Sequence, residues 1–295
     1  MALTHGLADL HTHTTASDGM QSPADNVRLA KEAGLAAIAI TDHDTVAGVA
    51  EAVEEGSRLG ITVVPGVELS TVADSSDIHV LGYYTNNKDE MWLSRLAGLR
   101  GVRDRRNDMI VDKLRELGIA ITMDEVIAAA HGNRTKDELQ STEVSIGRPH
   151  IAAVLISKGA AQTMKEAFDR YLASGAAAYV NPPRLNPFEA IDWIREAGGT
   201  SVIAHPGLYG NDTLVEEIIR YGAQGIEVYH SDHSPEDEQR YEELANRYPL
   251  IVTGGSDFHG SRQGVIFHGA VGSRTVSTEV LRQLQPSWRR ERNGD

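Results

Sequence analysis

The chain has 295 residues, no cysteine and a formal net charge of -14. The lack of cysteine excludes disulfides and thiolate metal sites, so any metal must be held by imidazole, carboxylate, main chain or water. The negative balance opposes binding to long nucleic acid, which rests on cationic surface neutralising phosphates, but leaves small anionic substrates open, and divalent ions would offset part of it.

In chain order, Gly6 to Leu10 reads as a strand, and residues two apart on a strand point the same way. His11 and His13 then project together from its carboxyl end, with Asp18 returning to them on the loop before the Ser22-Pro23 helix start. Two imidazoles on one face suit a borderline divalent ion. A surface strand end that merely carries two histidines is the plainer alternative, and the rest of the sequence decides between them. A helix over Pro23 to Ala33 leads to the strand Leu35 to Thr41, which ends in Asp42-His43-Asp44. Val46 to Leu59 reads as a helix closed by Gly60. Ile61 to Val64 and Gly66 to Leu69 form the next strand, ending near Glu68. Only about seven residues separate it from Ile78 to Tyr83, too few for a parallel crossover, so a hairpin-like link puts Glu68 and His79 on one rim.

From Tyr84 to about Pro183 the pattern is helical (Met109, Ile110, Lys113, Leu114, Leu117) and broken by Gly118, Gly132 and Gly147. This block, residues 85–183, reads as a helical cap inserted into a barrel formed by 1–84 and 184–285, with 286–295 a frayed tail carrying Arg289, Arg290 and Arg292. Arg95, Arg100, Arg103, Arg105 and Arg106 read as a solvated helix face paired with Asp104, Asp108 and Asp112. Arg148 stands at a helix N-terminus beside Pro149, where the main chain attracts anions. With Lys158 and Arg184 it is a candidate contact for a substrate phosphate.

The strand pattern then resumes. Thr200 to Ala204 ends in His205-Pro206-Gly207, Gly225 to Tyr229 ends in His230, and Leu250 to Gly254 ends in Asp257-Phe258-His259, with helices expected over Asn186 to Glu196, Thr213 to Tyr221 and Pro235 to Tyr248. That makes seven strands, each delivering a potential ligand to one rim. Active sites of α/β barrels are built at strand carboxyl ends, whereas core histidines would be scattered. His230 shares that rim as a candidate to position phosphate or protonate a leaving oxygen. Asp42 and Asp44 are expected to orient His43. His5, His131, His233 and His268 read as loop or terminal residues without companions, and His150 as a helix cap or substrate contact. With no basic-then-apolar leader and no apolar run of membrane-spanning length, the expectation is a soluble, cytoplasmic protein with no membrane partner.

The set His11-x-His13 with Asp18, Thr41-Asp42-His43, Gly66-Val67-Glu68, His79, His205-Pro206 and Asp257-Phe258-His259 resembles the metal-binding motifs of the PHP (polymerase and histidinol phosphatase) phosphoesterases. The likeness covers most of the chain, including Gly147-Arg148-Pro149-His150 and Gly225-Ile226-Glu227-Val228-Tyr229, and is nearest to the stand-alone subgroup acting on nucleoside 3',5'-bisphosphates and short oligoribonucleotides. It implies a distorted (β/α)7 barrel with two or three divalent ions, of which manganese, iron and zinc all suit mixed nitrogen and oxygen ligation. Carried over, a first metal takes His11, His13, Glu68 and Asp257, with Glu68 bridging to a second on His79 and His205. Asp18, His43 and His259 hold a third, and Asp18 stands where histidinol-phosphatase-like members carry histidine, making that site richer in oxygen. The reaction so implied is attack on phosphorus by a hydroxide bridging the first two ions, with Arg148 and the third ion neutralising phosphate oxygens. The expected substrate is a small phosphorylated nucleotide, foremost a 3',5'-bisphosphate losing its 3'-phosphate, with short RNA and histidinol phosphate as alternatives. An amidohydrolase also uses a strand-end His-x-His, and a non-catalytic PHP module could serve a partner protein. The third ligand set argues against the first, and the filled ligand positions against the second.

Overall fold

The second strand shows how this sequence makes a barrel. Ala37, Ile38, Ala39 and Ile40 are all fully buried, as a strand covered on both faces requires. The alanines turn inward with Ala8, Leu10, Val64 and Leu81. The isoleucines turn outward onto Val27, Ala30, Val49 and Ala52 of the two flanking helices, Pro23–Glu32 and Val49–Leu59. Small residues inside and branched ones outside let a narrow barrel close while its helices still pack. Ser22 caps the first helix by accepting the Asp25 N–H at 3.1 Å, and Gly60, left-handed at φ 69°, ends the second.

The computed structural model describes residues 6–131, 145–262 and 264–286. Its strands are β1 (Leu7–Asp9), β2 (Ala37–Ile40), β3 (Thr62–Ala73), β4 (Ser76–Tyr83), β5 (Thr200–Ile203), β6 (Gly225–His230), β7 (Ile251–Gly255), a small ribbon of β8 (Ser261–Arg262) with β9 (Val265–Ile266), and β10 (Val276–Ser277). The main sheet has eight strands in the order β10-β1-β2-β3-β4-β5-β6-β7. It is nearly closed, because the Leu10 N–H donates to Gly254 O at 3.1 Å and the Asp257 N–H to His11 O at 2.8 Å. Gly255 makes that seam possible, since a Cβ there would collide with the His11 backbone. The seven expected strands are present. The eighth, β10, pairs antiparallel with β1 and is too short to show in a hydrophobic pattern.

The β3–β4 link is a hairpin, tighter than expected. Asp74 and Ser75 adopt left-handed φ of 48° and 63°, the signature of a two-residue turn, so both strands run on past the rim. Glu68 therefore lies within β3 opposite Leu81, and His79 opposite Ser70.

The block after Tyr84 begins with a long helix, Glu90–Glu116, capped by Asp89, and continues through Met123–His131, Arg148–Ser157, Met164–Ala167 and a π-turn at Phe168–Leu172. Trp92, Leu96 and Leu99 of the long helix join the barrel-side core. Ile110, Val111 and Leu114 join a separate cluster with Ile151 and Leu155. One helix thus joins the two clusters. Among the described residues no helix is long and apolar enough to cross a membrane. His5, Gly132 and the tail arginines lie outside the described residues.

Candidate metal centre and anion cleft

Strand ends, the β3–β4 hairpin and the Asp18 loop bring nine imidazole and carboxylate residues to one rim. His11 Nε2 lies 3.4 Å from Glu68 Oε2 and 3.3 Å from Asp257 Oδ1, and His13 Nε2 lies 3.1 Å from both. The two Nε2 atoms are 3.2 Å apart. The other oxygen of Glu68 sits 2.8 Å from His79 Nδ1 and 3.1 Å from His205 Nε2. Asp18 Oδ1 is 3.3 Å from His259 Nε2, and Asp18 Oδ2 is 3.8 Å from His43 Nε2. His43 also faces Glu68 Oε2 at 3.0 Å, so it stands between the Glu68 and Asp18 groups.

These donors fit divalent ions. A tetrahedral ion at roughly 2.0–2.1 Å from each donor spaces the donors by roughly 3.3–3.4 Å, close to the separations around His11 and His13. Asp257 Oδ1 is buried among three imidazole nitrogens, His13 Nε2 at 3.1 Å, His11 Nε2 at 3.3 Å and His259 Nδ1 at 3.5 Å. Charge points the same way. Burial disfavours a protonated His11, but Glu227, Asp257 and Glu68 outweigh it and hold its pKa well above the ordinary value. Against the same burial, hydrogen bonds to Asp257 and Glu68 push His13 up to about 10. His205, where burial prevails, is pulled down to about 4, leaving a neutral lone pair. The cluster needs positive charge at its centre, which a proton or a metal can supply.

Other contacts aim the donors. His11 Nδ1 meets Glu227 Oε1 at 3.1 Å, and the same carboxylate accepts the His205 N–H at 2.8 Å. His259 Nδ1 faces Asp257 O at 2.8 Å, which leaves Nε2 for the site. Asp257 and His205 hold positive φ of 53° and 25°, strain of the kind that gathers at functional sites. Asp42 and Asp44 do not orient His43 as expected. Asp42 accepts the Thr14 N–H, Thr14 hydroxyl and Ser17 hydroxyl at 2.6–2.7 Å and so shapes the loop bearing Asp18. Asp44 accepts the Ser70 N–H and pairs with Arg103 of the cap.

Opposite the donors, across a cavity of about 200 Å³, stand Arg103, Arg106, Arg148 and Arg184. Arg148 and Arg184, the candidate phosphate contacts, both line this cavity and share Asp77, Arg148 Nη2 at 2.7 Å. Arg148 also reaches Leu172 O, the end of the π-turn, at 3.2 Å. Lys158 does not join them, because it pairs with Glu125 at 2.6 Å away from the cleft. Nor do Arg103 and Arg106 lie on a solvated face, being 7% and 4% exposed. The spacing Trp92, Leu96, Leu99, Arg103, Arg106, Ile110 runs in steps of four and three along one buried stripe, a signal legible in the sequence once the arginines are counted as inward positions.

The histidines also sort differently. His230 is fully buried, accepts the Asp232 N–H at Nδ1 and places Nε2 3.3 Å from Asp257, behind the cleft. The cleft-facing imidazole there is His268, expected to be without companions. It pairs with Asp232 and lies 3.5 Å from Asp257, and although desolvation in the cleft opposes the charged form these two carboxylates push the pKa of this partly exposed ring to about 9. His233 is buried and accepts the Gly207 N–H at 3.1 Å, fixing the turn after His205, while His150 accepts the Gly147 N–H at its helix start. Nothing is described for the side chain of His131.

Barrel strand ends that gather divalent-ion donors, faced by arginines across a small cleft, make a metal-dependent hydrolase of anionic esters. The chain belongs to the PHP domain family, whose model matches residues 9–173. It is 34% identical over 258 residues to the 5'-3' exoribonuclease Rnm of Escherichia coli, covering 85% of this chain and 84% of that one. It is 33% identical over 288 residues to the 3',5'-nucleoside bisphosphate phosphatase of Chromobacterium violaceum, covering 95% of each. The crystal structure of a "putative metal-dependent phosphoesterase" from Bifidobacterium adolescentis superposes with a TM-score of 0.83 at 32% identity, covering 94% of both chains. The protein is a metal-dependent phosphoesterase.

Proposed function

We propose that the enzyme removes the 3'-phosphate of a nucleoside 3',5'-bisphosphate to leave a 5'-nucleotide, with stepwise trimming of short RNA as a related activity. The observation that carries this reading is the two-walled cleft, metal donors on one side and arginines on the other, because a substrate with one phosphate has no use for both walls. Relatives named for both activities support it. A cytoplasmic setting suits such a substrate.

In this reading His11, His13, Glu68 and Asp257 would hold one ion, Glu68 with His79 and His205 a second, and Asp18, His43 and His259 a third, with manganese, iron or zinc as the metal. When bound, divalent ions lower the pKa of water and draw charge from the phosphoryl oxygens. Glu68 turns Oε2 to His11 and His13 and Oε1 to His79 and His205, so one carboxylate would serve both of the first two sites. Arg148 faces the donors and offers a planar fork to phosphate oxygens, fixed from behind by Asp77 and Leu172 O. His230 positions Asp257. His268, backed by Asp232, is placed to hold a proton beside the leaving oxygen. The cap, residues 85–183, supplies Arg103, Arg106 and Arg148, and so the part of the site that does not bind metal.

The test compares kcat/KM on adenosine 3',5'-bisphosphate, 5'-AMP, histidinol phosphate and a short 5'-phosphorylated RNA, all in Mn²⁺. The bisphosphate is expected to be the best of the small substrates. Preference for histidinol phosphate would sink the two-wall reading and leave the metal assignment standing.

A further inference from the structure

β4 and β5 pair antiparallel from Tyr83 with Thr200 to Val80 with Ile203, and the next rung brings His79 opposite Ala204, the residue before His205. A hydrogen-bonded antiparallel pair exchanges two N–H···O bonds. Here one of them is direct, the Ala204 N–H donating to His79 O at 3.2 Å. The other is replaced by the Tyr209 hydroxyl, which accepts the His79 N–H at 2.9 Å and donates to Ala204 O at 2.6 Å. A direct bond would draw the two strand ends together. The hydroxyl holds them one oxygen apart, just where the chain leaves β5 through His205 at φ 25°. The Tyr209 ring also meets the His205 imidazole edge-on, with centroids 5.7 Å apart and planes at 72°. The turn that carries Tyr209 is pinned in its own right by His233, which accepts the Gly207 N–H at 3.1 Å and donates from Nδ1 to Val228 O at 2.8 Å.

His79 and His205 are the two imidazoles that face Glu68 Oε1. Other rim imidazoles are aimed through the nitrogen turned away from the site, His11 by Glu227 and His259 by Asp257 O. His205 lacks that support, because its Nδ1 is buried without a hydrogen-bond partner among the described residues, and His79 turns Nδ1 to Glu68 itself. The aim of both rings therefore comes from their backbones and from what packs on them. We propose that Tyr209 is the positioning residue of the second ion site: its hydroxyl, inserted between His79 N and Ala204 O, sets how far apart β4 and β5 deliver His79 and His205. The inference rests on the assignment of a second ion to Glu68, His79 and His205 made above. Tyr209 itself does not line the cleft and acts through the two histidines.

The experiment titrates Mn²⁺ into the chelator-stripped protein by calorimetry for wild type, Tyr209→Phe, Tyr209→Met and, as the marker of the second site, His79→Ala. Tyr209→Phe removes one oxygen and keeps the ring, and Tyr209→Met keeps a flexible apolar chain in the same contact should the first variant fold poorly. Both are expected to weaken by about tenfold or more the binding step that His79→Ala abolishes, and to leave the other steps within about twofold of wild type. In turnover of adenosine 3',5'-bisphosphate the loss is expected in kcat at limiting Mn²⁺ with KM unchanged, and excess Mn²⁺ restores kcat, which a variant damaged only in its packing would not show. If every step in a folded variant stays within about twofold of wild type, or if the weakened step is not the one that His79→Ala removes, the Tyr209 assignment is overturned and the second ion stands. If His79→Ala binds as many ions as wild type with the same affinities, the second-ion assignment falls and takes this inference with it.

Discussion

Glu227 offers nothing to the cleft, yet it decides which nitrogen of His11 faces it. Held at 3.1 Å from Nδ1, its carboxylate accepts that N–H and leaves the Nε2 lone pair toward Glu68 and Asp257. Burial opposes its ionisation, but His11 prevails, with His230 and His205 adding to it, and the pKa is held below the ordinary carboxylate value. Glu227→Gln keeps shape and volume but can present an amide N–H to Nδ1, which favours the wrong tautomer. That variant is expected to fold and to lose about 10–100-fold in Mn²⁺ affinity, measured by calorimetry on the chelator-stripped protein. Affinity equal to wild type would reduce Glu227 to packing. The donors themselves were legible because chemistry and position coincide: His11, His13, His43, His205 and Asp257 all follow apolar runs. Glu227 sits inside its strand, where only an acid in the run Gly-Ile-Glu-Val-Tyr marks it. His268 left no local signal, since its partners Asp232 and Asp257 come from other loops and only the closed barrel brings them together.

Element boundaries followed the turn chemistry well, as at Ser22-Pro23 and Gly60, because those signals are local. The long helix was harder. Its arginines looked like a solvated face because charged residues rarely line a buried stripe, and the aspartates one and two positions away supplied plausible partners. What binds the cap to the metal side is also an element-scale matter. The segment entering Arg148–Ser157 lies against the Asp18 loop, with the Ser145 N–H donating to Ala16 O at 3.0 Å and Asn107 donating to Ile146 O at 2.9 Å. A Cβ on Gly147 would stand 2.9 Å from Asp18 Oδ2 and 3.1 Å from Pro149. Gly147→Val therefore has to displace either the cap or Asp18. Its expected signature is a fall in kcat/KM of at least about tenfold with one equivalent of metal bound weakly, while the fold loses no more than about 3 kcal/mol of stability to overpacking. Metal stoichiometry and activity both equal to wild type would show that the junction yields without cost.

At the scale of the whole molecule the barrel is stabilised at its base by apolar packing and burdened at its rim by Asp18, Glu68, Glu227 and Asp257, all buried. Stripped of metal, the protein must balance these with protonated imidazoles. His13 then carries a folded pKa of about 10 against 6.5 when unfolded. A raised pKa of this kind contributes stability that is complete below pH 6.5 and is lost as pH rises toward 10. Metal reverses the dependence, because the ligands that bind it must be unprotonated and binding strengthens as pH rises. Mn²⁺ at a hundredfold excess over its dissociation constant adds about 2.7 kcal/mol per site, or about 5 °C in Tm for a chain of this size. The gap in Tm between Mn²⁺-loaded and chelator-stripped enzyme is accordingly expected to widen steadily from pH 6.5 to 9 by differential scanning calorimetry. In Asp257→Ala the gap should shrink by about one site's share, and the stripped variant should melt no lower than stripped wild type, since one of four crowded carboxylates is gone. A gap that is absent, or that narrows with rising pH, would mean that the rim histidines and carboxylates compensate one another without an ion.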